Sequence, residues 1–271
     1  MFEKEISIAL IACEEANKAI LDVYSGEFAV EIKEDSSPVT VADKISNEII
    51  LSYLREAFPE DGFLSEESED DPSRLDKHRV WIIDPLDGTK EFVARNGEFA
   101  VNIALSIDGE VVLGVIGAPT LNRVYYAIKG QGAFVVENGE RKEIHVSSRR
   151  KGELIPYCSR SFRNKDALEF TLRHPEIFAC PCIPLGSSLK MAFIAEGRGD
   201  YFLRLYPGTK EWDVASGDII LREAGGIMLN GEDYAPFRYN RKDVYNHKGY
   251  ILSKGKNYTY KDLVGSEEFN L

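Results

Sequence analysis

The sequence predicts a chain in which an α+β half precedes a mixed α/β half. Apolar runs between Phe99 and Val136 follow one another closely, and Asp-Gly and Gly-x-Gly turns separate them, which is typical of antiparallel strands. After Leu154, strand-like and helix-like segments alternate, which favours a mixed α/β layer. The charged stretch from Arg141 to Glu153 is expected to join the halves, which places them at 1–150 and 151–271.

Two amphipathic helices are predicted at the start of the chain. From Met1 to Tyr24, apolar residues recur at the spacing of one helix face. A second helix is expected from Thr40, a good N-cap residue, to about Phe58. Asp43 then lies in the first turn, where the helix dipole favours an acid. From this segment alone, Asp43 needs no role beyond helix capping.

A strand that ends in two carboxylates carries the most chemical information. Val80 to Ile83 has the length and β-branched content of a buried strand, and Asp84-Pro-Leu-Asp-Gly-Thr89 follows it directly. Pro85 biases Asp84 toward an extended conformation, and Gly88 lets the backbone come close to a ligand. Carboxylates beside amides that could hold an anion are what a Mg²⁺-dependent phosphate site needs. An ordinary Asp-Gly turn is the alternative if no further carboxylates match.

Glu66 is the first of these further carboxylates. It directly follows a short strand predicted at Phe63 to Ser65, so it could face the same pocket as Asp84. The rest of the acidic run, as far as Asp71, is expected to be solvated surface.

Two helix starts in the second half could also carry chemistry. Gly186-Ser-Ser-Leu-Lys190 combines hydroxyls, amides and a lysine at the start of a predicted helix, with Ser188 as a plausible cap, and this suits an anionic group. Glu211-Trp-Asp213 places acids at the start of the last long helix, predicted from Trp212 to Ala224. Each feature alone would equally fit an ordinary capped helix.

Composition and charge restrict the classes of function. The 271 residues have an ordinary globular balance, with 44% hydrophobic and 29% charged residues. The formal net charge of −12 argues against a nucleic-acid polymer or an anionic membrane as partner, but it allows a small anionic substrate if metal ions supply positive charge.

Four cysteines without a zinc spacing favour reduced thiols in a cytoplasmic protein. We see no signal peptide and no apolar run of membrane-spanning length, while peripheral attachment to the inner face of a membrane stays open.

Four motifs together resemble one known family. Trp81-Ile-Ile-Asp-Pro-Leu-Asp-Gly-Thr89 resembles the first signature of the Mg²⁺-dependent, lithium-sensitive inositol monophosphatase family. Glu211 to Gly217, running on to Gly225-Gly226, resembles its second signature. Leu64 to Ser68 and Pro38 to Asp43 resemble two shorter motifs that precede them. Because the four occur in family order across nearly the whole chain, the resemblance implies a layered α/β/α/β/α sandwich of the inositol monophosphatase and fructose-1,6-bisphosphatase type.

Within this family, three segments look most like the CysQ branch, namely Asp87 to Phe92, Arg95 to Phe99 and Ser187 to Lys190. Members of this branch are 3′(2′),5′-bisphosphate nucleotidases, which remove the 3′-phosphate from adenosine 3′,5′-bisphosphate. Inositol monophosphatases usually read Gly-Thr-Thr-Asn-Phe where this chain has Gly88-Thr-Lys-Glu-Phe92. One departure concerns Phe162, because the branch commonly has a histidine after Ser-Arg-Ser. This departure bears on nucleotide binding and leaves the metal chemistry unaffected.

The resemblance also implies roles for individual residues. The ligands of two or three Mg²⁺ ions would be Glu66, Asp84, Asp87, Asp213 and the carbonyl of Leu86. Thr89, hydrogen-bonded to Asp43, would orient and help deprotonate the attacking water, and Glu66 would also take part in catalysis. The substrate would contact Glu66, Leu86, Asp87, Gly88, Thr89, Ser187, Ser188, Lys190 and Asp213.

Alternatives stay open at this point. An inositol monophosphatase or another sugar phosphatase of the family would share every metal ligand. A non-catalytic metal- or nucleotide-binding regulatory protein would belong to a different class. The partner is expected to be a small phosphorylated molecule, and the chain is expected to act as a monomer or a homodimer. We expect the metal-binding carboxylates to converge where the two halves meet.

Overall fold

The computed structural model describes residues 2–33, 37–161 and 165–258 of the chain. The elements of the first half are α1 (Glu3–Ser25), β1 (Val30–Ile32), β2 (Pro38–Thr40), α2 (Val41–Ala57), β3 (Gly62–Ser65), β4 (Arg79–Asp87), α3 (Thr89–Val93), β5 (Ala100–Ile107), β6 (Glu110–Ala118), β7 (Arg123–Ile128), β8 (Ala133–Glu137) and β9 (Glu140–Ile144). Those of the second half are β10 (Pro156–Ser159), α4 (Lys165–Arg173), β11 (Ile183–Leu185), α5 (Leu189–Ala195), β12 (Tyr201–Arg204), α6 (Ala215–Glu223), β13 (Ile227–Asn230) and β14 (Tyr250–Ser253). None of the helices in these ranges combines the length and apolar character that crossing a bilayer requires.

Two sheets form the framework. Strands β3 to β9 make a seven-stranded sheet in sequence order, in which the β3–β4 pair is parallel and the other neighbours are antiparallel. The second sheet has five strands in the order β11-β10-β12-β14-β13 and mixes parallel with antiparallel pairs. Strands β1 and β2 form a small separate hairpin.

Helices α1 and α2 cover one face of the seven-stranded sheet. The buried side chains of α1 recur every three or four positions: Ala9, Ala12, Cys13, Ala16 and Ile20. Helix α2 begins after Thr40, whose hydroxyl oxygen accepts a hydrogen bond from the amide of Ala42 at 3.1 Å. The Asp43 carboxylate accepts one in return from the amide of Thr40 at 2.8 Å. This reciprocal capping explains why α2 starts where the sequence predicts.

Side-chain alternation along β4 sets the order of the layers. Trp81 and Ile83 lie in the core beneath α1 and α2, whereas Val80 and Ile82 lie in a second core with α5 and α6. The five-stranded sheet contributes its inner face to that second core, and α4 packs on its outer face through Phe170. The predicted α/β/α/β/α sandwich is therefore confirmed.

The pairing of β4 with β5 is irregular at the end of β4. Asp84 lies opposite Asn102 and Asp87 lies opposite Ala100, so two residues of β4 face one residue of β5 between them. In a regular strand, side chains three positions apart would point to opposite faces. The extra residue of this bulge lets both carboxylates reach the same side, and Pro85, which has no N–H, is well suited to it.

The junction between the halves differs from the prediction. The stretch predicted as a linker, Arg141 to Glu153, begins inside β9, which pairs with β8 across the Asn138-Gly139 turn. Because β9 is the edge strand and four of its five residues are exposed, its charges stay solvated and conceal the strand in the sequence. The division at residue 150 stays a prediction, and one apolar core contains residues from both sides of it.

The last long helix also differs from the prediction of a continuous segment from Trp212 to Ala224. Glu211–Asp213 forms a 3₁₀ turn, and α6 begins only at Ala215. Within the turn, the Asp213 carboxylate accepts a hydrogen bond from the amide of Lys210 at 2.5 Å. Val214 then adopts φ −127° and ψ −25°, which interrupts the helical path. Asp213 therefore precedes α6 and is not part of it.

Candidate metal centre and active site

Three carboxylates meet at the end of β4. One oxygen atom from each of Asp84, Asp87 and Asp213 can be chosen so that all three lie within 4.8 Å of one another. Asp84 and Asp87 come from the bulge of β4, and Asp213 comes from the 3₁₀ turn before α6. The structure thus brings together acids from both halves of the chain.

Asp84 carries a carboxylate oxygen that the protein leaves unsatisfied. The residue is 1% exposed, and its Oδ1 accepts a hydrogen bond from the amide of Leu86 at 3.1 Å. Its Oδ2 is buried and has no hydrogen-bond partner among the described residues. Such an atom costs free energy unless a group from outside the chain satisfies it. A hard divalent cation fits, because Mg²⁺ prefers oxygen ligands and the neighbouring donors are carboxylates.

Burial raises the pKa of all three carboxyl groups and is the largest cause in each case. Repulsion from neighbouring acids of the cluster adds to it for Asp84 and Asp213. The charge of Glu66 further raises the pKa of Asp84. The charges of Asp87 and Glu66 add to the effect of burial on Asp213, whose pKa rises to about 8. For Asp87, the ammonium of Lys190 opposes the increase. A bound cation would relieve this repulsion, so the electrostatics of the cluster also fit Mg²⁺.

Glu66 lines the same cavity, but it is not one of the three clustered acids. Its amide donates to the carbonyl oxygen of Ile83 at 3.2 Å, which holds the end of β3 beside β4. Its carboxylate forms an ion pair with Lys33, with 3.2 Å between Oε1 and Nζ, and Lys33 also pairs with Glu67. Sequence reasoning does not identify Lys33, because no local motif connects this lysine with the acidic segment.

The Thr89 hydroxyl lies between Asp43 and the turn that carries the acids. Its Oγ1 is 3.0 Å from Oδ1 of Asp43 and 3.3 Å from the carbonyl oxygen of Leu86. The other carboxylate oxygen of Asp43 accepts hydrogen bonds from the amide and hydroxyl of Thr40. Burial raises the pKa of Asp43, and these hydrogen bonds oppose the increase. Asp43 therefore caps α2 with one oxygen and holds Thr89 with the other. Its interpretation as a helix cap and its interpretation as the hydrogen-bond partner of Thr89 are compatible.

Gly88 turns the chain from β4 into α3. Its φ of 89° lies in the left-handed region, which residues with a side chain rarely adopt. A Cβ atom at this position would lie 3.2 Å from the carbonyl oxygen of Glu98 and 3.2 Å from Cβ of Ser187. The close approach of the two halves at this turn therefore depends on glycine.

The Ser187-Ser188 turn supports Asp87. The amide of Ser188 donates to Oδ2 of Asp87 at 2.5 Å, and its hydroxyl donates to Oδ1 of Asn102 at 2.8 Å. Ser188 occupies the N-cap position of α5, but its side chain makes no capping hydrogen bond, so the predicted capping role is wrong. The hydroxyl instead binds Asn102 of β5, a residue that sequence reasoning does not single out.

Lys190 is buried and is not a solvated surface lysine. It is 5% exposed, and its Nζ donates to the carbonyl oxygens of Leu185 at 3.1 Å and Ser187 at 2.5 Å. The same Nζ lies 5.4 Å from the centroid of the Phe202 ring. Burial lowers its pKa to about 8, although the charge of Asp87 opposes this. Because an ammonium has three N–H donors, one remains for a group in the cavity that Lys190 lines.

Further polar residues line this cavity, among them Arg160, Arg204 and Tyr250. Arg204 and Tyr250 face each other across the β12–β14 pair. Sequence reasoning misses both, because each belongs to a strand-like run without a local motif. Phe162, the departure from the branch pattern, lies outside the described residues.

The raised carboxyl pKa values predict how the metal-free protein responds to pH. The Asp213 pKa of about 8 exceeds the usual value of about 4, so between these values the folded state binds more protons than the unfolded state. We therefore expect the free energy of unfolding in EDTA to fall as the pH rises from about 4 to 8. Urea unfolding across this range measures it. Saturating Mg²⁺ should flatten or reverse the trend, whereas parallel curves with and without Mg²⁺ would contradict the assignment.

Comparison with known proteins supports one family. A model of the inositol monophosphatase family matches residues 2–266. The 3′(2′),5′-bisphosphate nucleotidase CysQ of Salmonella typhimurium is 41% identical over 230 residues, which cover 82% of this chain and 90% of that protein. The Escherichia coli K12 protein of the same name is 37% identical, covering 88% and 95%. Among solved structures, CysQ from Bacteroides thetaiotaomicron superimposes with a TM-score of 0.81 at 31% identity, covering 94% and 99%. An IMPase from Thermotoga maritima superimposes with a TM-score of 0.77 at 30% identity, covering 94% and 93%.

Proposed function

The chain belongs to the inositol monophosphatase family, and from this membership we propose that it is a Mg²⁺-dependent 3′(2′),5′-bisphosphate nucleotidase. It would hydrolyse the 3′-phosphate of adenosine 3′,5′-bisphosphate to give AMP and phosphate, acting in the cytoplasm as a monomer or homodimer. The observation that carries the metal chemistry is the buried cluster of Asp84, Asp87 and Asp213, with its unsatisfied oxygen on Asp84. The identity to the two CysQ relatives supports the choice of substrate.

The donor set of the cavity suits two or three metal ions. The proposed ligands are the carboxylates of Glu66, Asp84, Asp87 and Asp213 and the carbonyl oxygen of Leu86. For Glu66, this requires the carboxylate to exchange its contact with Lys33 for the metal. When bound, Mg²⁺ would neutralise charge on the transferring phosphate and make a bound water more acidic.

Thr89 and Asp43 would receive the proton of the attacking water. The Thr89 hydrogen is directed to Asp43, so an Oγ1 lone pair can accept a hydrogen bond from water. As the water oxygen attacks the phosphorus, its proton would move to Thr89 Oγ1, and the Thr89 proton would move to Asp43. The bond from phosphorus to the 3′-oxygen would break in the same step, and the leaving 3′-oxygen would take a proton from solvent water. The raised pKa of Asp43 makes its carboxylate a better acceptor for that proton. No covalent phosphoenzyme is required.

Two phosphate-binding regions would serve a bisphosphate substrate. The amides of Gly88 and Thr89 would hold the reacting phosphate beside the metal ligands. Lys190 and the Ser187-Ser188 turn would bind the second phosphate, with the third N–H donor of Lys190 directed to it.

A phosphate-release screen tests the proposal directly. The panel contains adenosine 3′,5′-bisphosphate, inositol 1-phosphate and fructose 1,6-bisphosphate, each with Mg²⁺ or with EDTA. We expect Mg²⁺-dependent turnover with the highest kcat/KM for the adenosine bisphosphate. A preference for inositol 1-phosphate would favour the rival assignment, an inositol monophosphatase, and release that is equal in EDTA would contradict the metal mechanism.

Replacing Lys190 with alanine should change substrate preference. A charge-assisted contact is worth roughly 1.5–3 kcal/mol, or about ten- to a hundred-fold in specificity. Lys190→Ala should therefore lower kcat/KM for adenosine 3′,5′-bisphosphate by about that factor and leave inositol 1-phosphate nearly unchanged. Steady-state kinetics on both substrates measure this. Equal losses on both would instead assign Lys190 to support of the metal site through its neighbour Asp87.

A further inference from the structure

A carboxylate outside the metal cluster connects the two halves at another wall of the cavity. Glu98, between α3 and β5, accepts hydrogen bonds from Nε and Nη2 of Arg160 at 2.5 and 2.6 Å. It also accepts one from the amide of Gly186 at 2.8 Å. Arg160 follows β10 and Gly186 follows β11, so one side chain of the first half fixes two loops of the second. The two-point contact holds the guanidinium in a single plane and orientation.

The pair with Glu98 leaves one edge of the Arg160 guanidinium available. Nη2 also donates to the carbonyl oxygen of Pro184 at 2.9 Å, but no described residue accepts a hydrogen bond from Nη1. The Arg160 side chain is 41% exposed and lines the same cavity as Asp84. Two N–H donors are therefore offered at the cavity in an orientation that Glu98 fixes.

A second contact holds the segment with Arg160 against helix α3, which follows the turn that carries Asp87. The hydroxyl of Ser161 donates to the carboxylate of Glu91, a buried residue of α3. Helix α3 begins at Thr89, directly after the turn that carries Asp87. Arg160 is thus positioned relative to the turn that carries Asp87 before a substrate binds, which reduces the entropy lost on binding.

We propose that Arg160 is a specificity residue, which donates hydrogen bonds to a part of the substrate beyond the reacting phosphate, and that Glu98 is the residue that positions it. This inference rests on the proposed function, because a small monophosphate carries no nucleotide group to meet Arg160. The acceptor is an oxygen or ring nitrogen of the nucleotide. Substrates that lack the second phosphate or the nucleoside separate these two sources.

The test compares Arg160→Gln with the wild-type enzyme on adenosine 3′,5′-bisphosphate, adenosine 3′-phosphate and inositol 1-phosphate. We expect KM for the bisphosphate to rise roughly ten- to a hundred-fold while kcat changes less than about twofold, since a charged hydrogen bond is lost away from the reacting atoms. A rise for the bisphosphate alone assigns the contact to the second phosphate. A rise for both adenosine compounds assigns it to the nucleoside. An unchanged KM, or an equal loss on inositol 1-phosphate, overturns the proposal.

Glu98→Gln tests the positioning role. It should raise KM for the bisphosphate by a smaller factor, and it should add little in the Arg160→Gln background, because it acts through Arg160. Glu137→Gln breaks a comparable ion pair with Arg123 on the seven-stranded sheet, outside the cavity, and should leave KM unchanged. Fully additive effects of the Glu98 and Arg160 variants would overturn the positioning role.

The wild-type enzyme distinguishes failure of the proposed function from failure of this inference. If the wild-type enzyme does not prefer the bisphosphate, the proposed function fails. If it does prefer the bisphosphate and Arg160→Gln behaves like wild type, only this inference fails.

Discussion

Asp84→Asn is expected to abolish turnover while the fold remains intact. Asp84 provides the one buried carboxylate oxygen of the cluster that has no partner among the described residues, so it is the atom with the most to gain from a cation. Losing about 4 kcal/mol of transition-state stabilisation from a displaced or missing ion lowers the rate about a thousand-fold. Phosphate release in saturating Mg²⁺ measures the loss, and circular dichroism checks the fold.

The same substitution should slightly stabilise the protein in EDTA, because it removes one of several acids that repel each other. Asp218→Asn is a matched control, since Asp218 is also buried but binds Arg222 and Tyr239 away from the cavity. That variant should lose stability and keep its metal-dependent activity. Near-normal activity of Asp84→Asn at high Mg²⁺ would remove Asp84 from the ligand set.

Thr89→Val should produce the second large loss, of roughly a hundred- to ten-thousand-fold in kcat. Valine keeps the shape of threonine but has no hydroxyl, so water loses its acceptor and Asp43 loses the hydrogen bond that connects it to the site. KM and the Mg²⁺ concentration needed for half-maximal activity should change little, because the carboxylates are untouched. Single-turnover kinetics separate the chemical step from binding.

Thr89→Ser is the informative companion, because it restores the hydroxyl without the methyl group. Its kcat should recover most of the loss, and Asp43→Asn should resemble Thr89→Val. If valine and serine variants were equally slow, the methyl group would matter more than the hydroxyl, and the proposed proton path through Thr89 would be wrong.

The predictions from sequence succeeded where the cause of a structure is local. The buried run before Asp84 forms a strand because its residues alternate between two cores, and Thr40 caps α2 because its partner Asp43 is three residues away. Strand β9 was missed because both of its faces are largely solvated, so apolar alternation is absent. The interruption at Val214 was missed because residues on either side of it favour a helix, while the Asp213 carboxylate bonds the Lys210 amide.

The candidate site shows the same difference between features with a local cause and features that depend on distant residues. The meeting of Asp84 and Asp87 could be predicted because one short segment carries both residues. Lys33, Asn102 and Arg204 were not identified, because each comes from a distant part of the chain. Arg204 lines the cavity itself, whereas Lys33 and Asn102 contact residues that line it, Glu66 and Ser188. Lys190 was assigned a role in anion binding, but its burial and its bonds to two carbonyl oxygens follow only from the packing of α5.

The three clustered acids come from different layers of the sandwich. Asp84 and Asp87 belong to the seven-stranded sheet, whereas Asp213 lies beyond the five-stranded sheet's central strand β12 in the chain. If these acids hold a cation as proposed, its binding and the docking of the layers are thermodynamically linked, and each strengthens the other. A substitution far from the cavity that loosens this docking would then weaken the proposed Mg²⁺ binding without touching a ligand, and the apparent affinity for the ion would report on the integrity of the whole sandwich.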